Sequence, residues 1–218
     1  LEGEIDHGDS LGNAGTIGPG DVQWMTAGSG IIHQEMPRGD ERGRMGGFQL
    51  WANLPASDKM TDPRYRGVEA LEIPIVAAEG ATVRVVCGTA GNVSGPVADI
   101  VIEPEYLDVA LEPGASWEHP TVAGHTVFAY LFEGAARFGT TGEAVPAGHG
   151  TLVLLGDGDM LQVQAGAEGA RFLLVSGKPL GEPVAWGGPI VMNTREELRQ
   201  AFREIDEGTF IKHEAVGQ

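Results

Sequence analysis

Residues 20–37 read GDVQWMTAGSGIIHQEMP, a strand-like run and a glycine-rich turn followed by a second strand-like run. In the second run, His33 and Glu35 are two residues apart, and side chains at positions i and i+2 of a strand point to the same face of a sheet. Apolar residues flank the pair on both sides, and a carboxylate among apolar residues needs a partner. We therefore expect His33 and Glu35 to face one interior cavity of a β-barrel, where they could bind a single transition metal ion. A core histidine beside a salt-bridged glutamate is the alternative.

The rest of the chain alternates short apolar runs with glycine and proline, which number 34 and 13. Many short strands separated by turn residues are typical of an all-β sandwich or barrel. The runs expected as strands are IGPGDVQWMT, GGFQLWANL, ATVRVVCG, VADIVIEP, LDVALEPG, TVFAYLFEG, GTLVLLGDGD and ARFLLVSG. Near the end, Thr194 and Glu197 have the spacing of a helix capping box. The sequence therefore predicts an all-β protein with one short C-terminal helix.

The two halves of the chain resemble each other. IGPGDVQWMTAGSG aligns without a gap on VPAGHGTLVLLGDG, with three coinciding glycines, although chance coincidence is an alternative in so glycine-rich a chain. In the same alignment Leu161 takes the place of His33, and Val163 takes the place of Glu35. We therefore expect a duplicated barrel whose second copy has an apolar interior and binds no metal.

The polar stretch between the halves predicts the domain boundaries. The expected regions are 1–60 for the first barrel, 61–74 for a linker, 75–190 for the second barrel, and 191–218 for a C-terminal helix region that packs back on the first barrel.

Composition argues against several classes of function. The formal net charge of −17, from 31 acidic and 14 basic side chains, disfavours binding to nucleic acid, which depends on Lys and Arg neutralising phosphates. No apolar run approaches the roughly 20 residues of a membrane-spanning helix. The single cysteine, Cys87, lies in the apolar run VRVVCG, so we expect a buried, inert thiol, no disulfide framework and a reducing cytoplasm as the compartment.

The remaining histidines occur in turn-like or loop-like stretches and are expected at the surface. They are His7, His119, His125, His149 and His213.

Three stretches together resemble one known family. GDVQWMTAGSGIIHQEMP resembles the signature of the pirin family, and FQLWANLPASDKMTDPRYRG and GGPIVMNTREEL resemble later segments of it, in the same order. The resemblance implies two linked cupin-type β-barrels, a bicupin. It also implies a metal site of three histidines and one glutamate, usually around iron, with the H-x-E pair at His33 and Glu35. The other two histidines belong to an H-x-H motif that precedes the LEGE strand. Because the chain begins at Leu1, within that strand, we expect an N-terminally truncated sequence whose metal occupancy stays open.

The resemblance also implies a function. Several bacterial pirins carry out quercetin 2,3-dioxygenation, and eukaryotic members have a metal-dependent regulatory role. We expect an Fe(II)-dependent dioxygenase that opens a ring of a flavonol such as quercetin, with O₂ and a small aromatic molecule as substrates. Glu35 would then serve as metal ligand, as catalytic base, or as each in turn. A non-enzymatic metal-binding protein that regulates a protein partner is the alternative, which the lack of an evident exposed apolar stripe disfavours.

Overall fold

The computed structural model describes residues 2–140 and 142–213, which are mostly β-structure with one α-helix. The chain divides into two compact units by internal contacts. Unit 1 comprises the residues up to Ala70 together with those from Leu180 onward, and unit 2 is Leu71–Pro179. The prediction of a mainly β-protein with a short C-terminal helix is confirmed.

The secondary-structure elements follow one another along the chain. The first part of unit 1 contains β1 (Glu4–Asp9), β2 (Ala14–Ile17), β3 (Val22–Thr26), β4 (His33–Arg38) and β5 (Arg64–Val68). A short 3₁₀-helix, Ala70–Glu72, is followed by β6 (Ile75–Ala78), β7 (Ala81–Cys87), β8 (Thr89–Ala90), β9 (Val93–Ser94), β10 (Glu105–Leu111), β11 (Ser116–Pro120), β12 (Thr126–Phe138), β13 (Val145–Gly148), β14 (Thr151–Leu154) and β15 (Met160–Gly177). The chain then forms β16 (Ala185–Gly187), β17 (Ile190–Met192) and helix α1 (Arg195–Asp206).

Unit 1 contains a three-stranded antiparallel sheet in the order β2-β1-β4 and the two-stranded pairs β3-β5 and β16-β17. Strand β4 lies at the edge of its sheet, where Pro37 is tolerated because an edge strand leaves one row of N–H groups unpaired. Helix α1 begins at the N-cap Thr194, whose side chain accepts a hydrogen bond from the backbone N–H of Glu197. The Glu197 side chain in turn accepts from the Thr194 backbone N–H, which confirms the predicted capping box.

Hydrogen bonds and packing join the C-terminal part of unit 1 to its first part. The Ala56 N–H donates to Glu182 Oε2 at 2.8 Å. The Phe210 ring lies directly over Gly30, where an added Cβ would come within 2.8 Å of the ring. Gly30 therefore leaves the space that the aromatic ring occupies.

Unit 2 is built around two long strands, β12 and β15, which pair along most of their length within an eight-stranded sheet. Their register shifts next to Gly134, which approaches Gly169 closely, and the φ angles of these two glycines are +70° and +77°. A Cβ at Gly134 would lie 2.1 Å from the Gly169 carbonyl oxygen, so this position requires glycine for both conformation and space. The inner face of the sheet carries a core cluster that includes Phe172, Leu107 and Val109.

The predicted internal repeat appears in the strand order. The order β2-β1-β4 in unit 1 matches the order β13-β12-β15 in unit 2. In the sequence alignment, β1 and β4 fall on parts of β12 and β15. Among the described residues, neither strand order returns to its first strand. The description as two closed barrels therefore stays a prediction.

Two expected strands are wrong. Residues 46–54 contain one isolated bridge at Gly46, and no described strand pairs with their backbone. In the run VADIVIEP, Asp99 and Glu103 have positive φ angles of 60° and 48°, a conformation incompatible with a continuous strand. Strand β5, by contrast, lies inside residues 61–74, the region expected as a linker.

Candidate metal centre

His33 and Glu35 lie on strand β4, opposite Asp9 and His7 of strand β1. Directly opposed residues of an antiparallel pair have their side chains on the same face. The register therefore brings two imidazoles and two carboxylates onto one face of the sheet, as the i, i+2 spacing predicted for His33 and Glu35.

The opposite face of the same sheet has its own polar cluster. Arg38 Nη2 donates to Glu4 Oε2 at 3.2 Å and to Asp6 Oδ1 at 2.9 Å, and the Thr16 hydroxyl donates to Asp6 Oδ1 at 2.6 Å. Because these contacts occupy the alternate positions of β1 and β4, they establish independently which side chains share a face.

The expectation that His33 and Glu35 line an enclosed cavity is wrong for the described residues. Both side chains are exposed. In unit 2 the aligned residues Leu161 and Val163 are 4% and 2% exposed and belong to the core cluster. The difference has a physical cause. In unit 2, other strands and their core side chains pack over Leu161 and Val163. In unit 1, the described residues leave His33 and Glu35 exposed.

Asp9 is already engaged in a turn. Its Oδ1 accepts the backbone N–H groups of Leu11 and Asn13, both at 2.9 Å, and its Oδ2 accepts from Asn13 Nδ2 at 2.8 Å. These bonds stabilise the β1–β2 turn and occupy the carboxylate. Both Asp9 carboxylate oxygens are therefore occupied by hydrogen bonds and are not free to bind a metal ion.

His7 is buried, which corrects the expectation of a surface position. Its Nε2 lies 2.9 Å from the Tyr65 hydroxyl oxygen, and the two rings stack with centroids 5.1 Å apart. Burial, and secondarily the nearby Asp9 charge, raises the pKa of the Tyr65 phenol. The alternation Ile5, His7, Asp9 in the sequence is the signal that could have placed His7 on the inner face of a strand.

His119 is also buried, at 4% exposure, and the expectation of a surface position is again wrong. Its Nε2 lies 2.9 Å from Glu105 Oε1, and its ring stacks on Trp117. Strand β11 alternates exposed and buried residues, so Trp117 and His119 both point into the core of unit 2. Among the others, His149 is exposed as expected, and His125 and His213 are half-buried.

The chemistry of His33 and Glu35 fits a transition metal. An imidazole nitrogen and a carboxylate oxygen suit iron, manganese, nickel, copper or zinc, and neither side chain has a hydrogen-bond partner among the described residues. Within those residues, no three His, Cys, Asp or Glu side chains are grouped closely enough to hold an ion. His33 and Glu35 could therefore supply only part of a ligand set, and a metal ion bound there would need further ligands, water among them.

Comparison with known proteins identifies the family. The family model described as "Pirin" matches residues 1–52, and the one described as "Pirin C-terminal cupin domain" matches residues 106–211. A pirin-like protein of Caulobacter vibrioides is 45% identical over 212 residues, which cover 96% of this chain and 75% of that protein. The chain belongs to the pirin family.

Other pirin relatives include proteins of different names. The pirin of Homo sapiens is 40% identical over 204 residues, covering 93% of this chain and 69% of the human protein. A crystal structure of quercetin 2,3-dioxygenase from Acinetobacter baumannii superposes with a TM-score of 0.85 at 35% identity, covering 96% of this chain and 73% of that one. A protein named as a quercetin 2,3-dioxygenase is therefore similar to this chain in both fold and sequence.

This pirin also has exposed apolar residues that the sequence did not reveal. Met45, Leu50 and Trp51 lie in the irregular stretch after β4, and Trp51 is 61% exposed. These side chains are exposed in a stretch that was expected as a strand and that forms only an isolated bridge, at Gly46, among the described residues. Among the described residues, the helices are too short and too polar to cross a membrane.

Proposed function

We propose that this pirin is a metal-dependent dioxygenase that adds O₂ to a flavonol such as quercetin and opens one of its rings, within a fold of two cupin-type barrels. The observation that carries the proposal is the placement of His33 and Glu35 on one face of β4 without other hydrogen-bond partners. The similarity to a solved quercetin 2,3-dioxygenase supports it.

His33 and Glu35 would hold one divalent transition metal, iron(II) by family resemblance. The two further histidines that the resemblance implies would precede Leu1. When bound, a divalent ion with open positions supplies Lewis acidity, which lowers the pKa of a coordinated hydroxyl group.

Glu35 is the carboxylate available to take the flavonol hydroxyl proton. It has no described hydrogen-bond partner and is exposed, so it can turn toward a substrate oxygen and reach the 2.6–3.2 Å needed for general-base catalysis. Loss of this proton makes the enol more electron-rich and prepares it for attack by O₂. His33 has no proton-transfer role in this proposal and acts only as a ligand.

The composition supports our proposals about binding partners and cellular compartment. The net charge of −17 disfavours direct contact with nucleic acid. The only cysteine is free and buried, which is consistent with a reducing cytoplasm as the compartment.

Oxygen uptake with quercetin, measured on protein reconstituted with iron(II), tests the proposal. Glu35→Gln keeps the side-chain shape without the base and should lower turnover by about 10²–10⁴-fold, whereas His33→Ala should lose bound iron and activity together. Gln34→Ala, on the opposite face of the same strand, is the matched control and should retain the wild-type rate. Wild-type turnover by Glu35→Gln would show that the base is another group.

A regulatory protein that binds a protein partner is the second candidate. Met45, Leu50 and Trp51 are exposed and lie within seven residues of one another in the sequence, and they favour it because exposed apolar patches often mark a contact with another protein. If the iron-loaded wild type takes up no oxygen with quercetin, this candidate replaces the enzyme.

A further inference from the structure

The buried His7 is directly opposite Glu35 in the β1–β4 register, so the two side chains lie on one face with Cβ atoms about 4.5–5.5 Å apart. His7 is 9% exposed. Its Nδ1 atom is fully buried and has no hydrogen-bond partner among the described residues. Leaving a buried donor or acceptor without a hydrogen bond lowers stability by about 1–3 kcal/mol. A hydrogen bond to this nitrogen would therefore be favourable.

Two neighbours hold the His7 ring in this position. Tyr65 contacts Nε2 through its hydroxyl group and stacks on the ring. On the other side, His7 pairs with Gly15 of strand β2, where an added Cβ would lie 3.0 Å from Nε2. The ring therefore occupies a slot that the absence of a side chain at position 15 keeps open.

We propose that His7 is a positioning residue for Glu35, whose carboxylate accepts a hydrogen bond from His7 Nδ1–H while Tyr65 donates its hydroxyl proton to Nε2. The inference rests on the proposed role of Glu35 as metal ligand and base. The hydroxyl proton of Tyr65 selects the tautomer, since a histidine that accepts at Nε2 carries its own proton at Nδ1. A phenol is protonated at neutral pH, and burial raises the pKa of Tyr65 further.

The hydrogen bonds from Tyr65 to His7 and from His7 to Glu35 would orient the Glu35 carboxylate, as hydrogen bonds from neighbouring residues orient metal-binding carboxylates in general. Such bonds fix the direction of the carboxylate, and their loss lowers metal affinity or activity by about 10–100-fold. Glu35 is exposed and, like His7 Nδ1, has no described hydrogen-bond partner, so the proposed bond requires its side chain to turn toward His7, and without that bond the side chain would sample many rotamers. His7 would act through Glu35, without direct contact with a substrate.

Two substitutions of His7 separate positioning from simple packing. The side-chain amide nitrogen of Asn occupies about the place of Nδ1, whereas that of Gln occupies about the place of Nε2. His7→Asn should therefore keep the donor toward Glu35, and His7→Gln should lose it while keeping the contact with Tyr65. Cobalt(II) affinity, measured by calorimetric titration, should fall by about 10–100-fold in His7→Gln and stay near wild type in His7→Asn.

The visible absorption of bound cobalt(II) gives a second readout, because it reports the carboxylate geometry independently of turnover. In a Glu35→Gln background, His7→Gln should have no further effect, since the two residues act as one unit. Gly15→Ala keeps every polar group but pushes the ring, and Tyr65→Phe removes only the hydroxyl group. Both should weaken cobalt(II) binding, and they keep the test valid if His7→Gln does not fold.

The outcomes distinguish this inference from the proposed function. Equal cobalt(II) affinity in wild type and His7→Gln, or an equal loss in His7→Asn and His7→Gln, overturns the positioning role even if quercetin-dependent oxygen uptake is normal. Conversely, the predicted pattern of cobalt(II) affinities without any oxygen uptake overturns the dioxygenase and leaves the positioning role standing.

Discussion

Glu35 of unit 1 and Val163 of unit 2 occupy aligned positions of the two halves. Giving each position the other's residue tests whether one faces solvent and the other the core. Val163 of unit 2 is 2% exposed, so Val163→Glu places a carboxyl group in the core. At pH 7 the group must be protonated to stay buried, which costs about 4 kcal/mol from an ordinary pKa of about 4.3. The loss of apolar burial adds about 1.5 kcal/mol or more. Glu35→Val changes an exposed position and should alter the free energy of unfolding by less than about 0.5 kcal/mol.

Urea unfolding followed by tryptophan fluorescence measures both effects. Trp117 lies opposite Val163 in the β11–β15 register and is the buried tryptophan of the described chain. Because the buried carboxyl group has a raised pKa, the Val163→Glu penalty should shrink by about 2–3 kcal/mol between pH 7 and pH 5. Val163→Gln is the uncharged control, with a smaller and pH-independent loss. Equal effects of the two exchanges, or a Val163→Glu penalty that does not change with pH, would refute the assignment of these positions to a core face and an exposed face.

Two further predictions concern unit 2. Arg171 donates two hydrogen bonds to the largely buried Asp108 carboxylate, at 2.9 and 2.7 Å, so Arg171→Met should lower the free energy of unfolding by about 2–3 kcal/mol. The control Arg199→Met removes an exposed ion pair and should lower it by less than about 1 kcal/mol. Similar losses for the two variants in urea unfolding would contradict this prediction. Burial raises the pKa of the Cys87 thiol from 9.0 to about 11, so a thiol reagent at pH 8 should modify it only after unfolding. Since the folded-state pKa is the higher one, this group stabilises the fold below pH 9 and its contribution is lost as pH rises toward 11. Cys87→Ala should flatten that decline in urea unfolding, and a decline of wild-type steepness would contradict the burial argument.

The sequence predicted which residues share a face better than it predicted what covers that face. The i, i+2 spacing placed His33 and Glu35 together because strand geometry alone determines side-chain alternation. Enclosure depends on elements distant in the chain, and in unit 1 the described elements leave those two residues exposed. The aligned residues Leu161 and Val163 are covered because strands far apart in sequence pair around them.

The histidines show a similar limit. His7 precedes Gly8 and His119 precedes Pro120, and glycine and proline are typical of turns and loops, yet each histidine lies on a strand and is buried. The alternation of Trp117 with His119 was visible in the sequence, but the partner that makes burial of the imidazole tolerable, Glu105, is on another strand. Buried polar pairs of this kind depend on tertiary contacts, which local patterns do not contain.

The most direct test of the metal site is to locate a bound ion on the chain. Substoichiometric manganese(II) broadens the NMR signals of nearby nuclei even when binding is weak, so the titration needs no complete ligand set. We expect the strongest broadening at His33 and Glu35, little at Leu161 and Val163, and loss of the effect in a His33→Ala/Glu35→Gln double variant. Broadening centred on other residues, or broadening of the same pattern that persists in the double variant, would contradict the assignment of the metal to this face of β4.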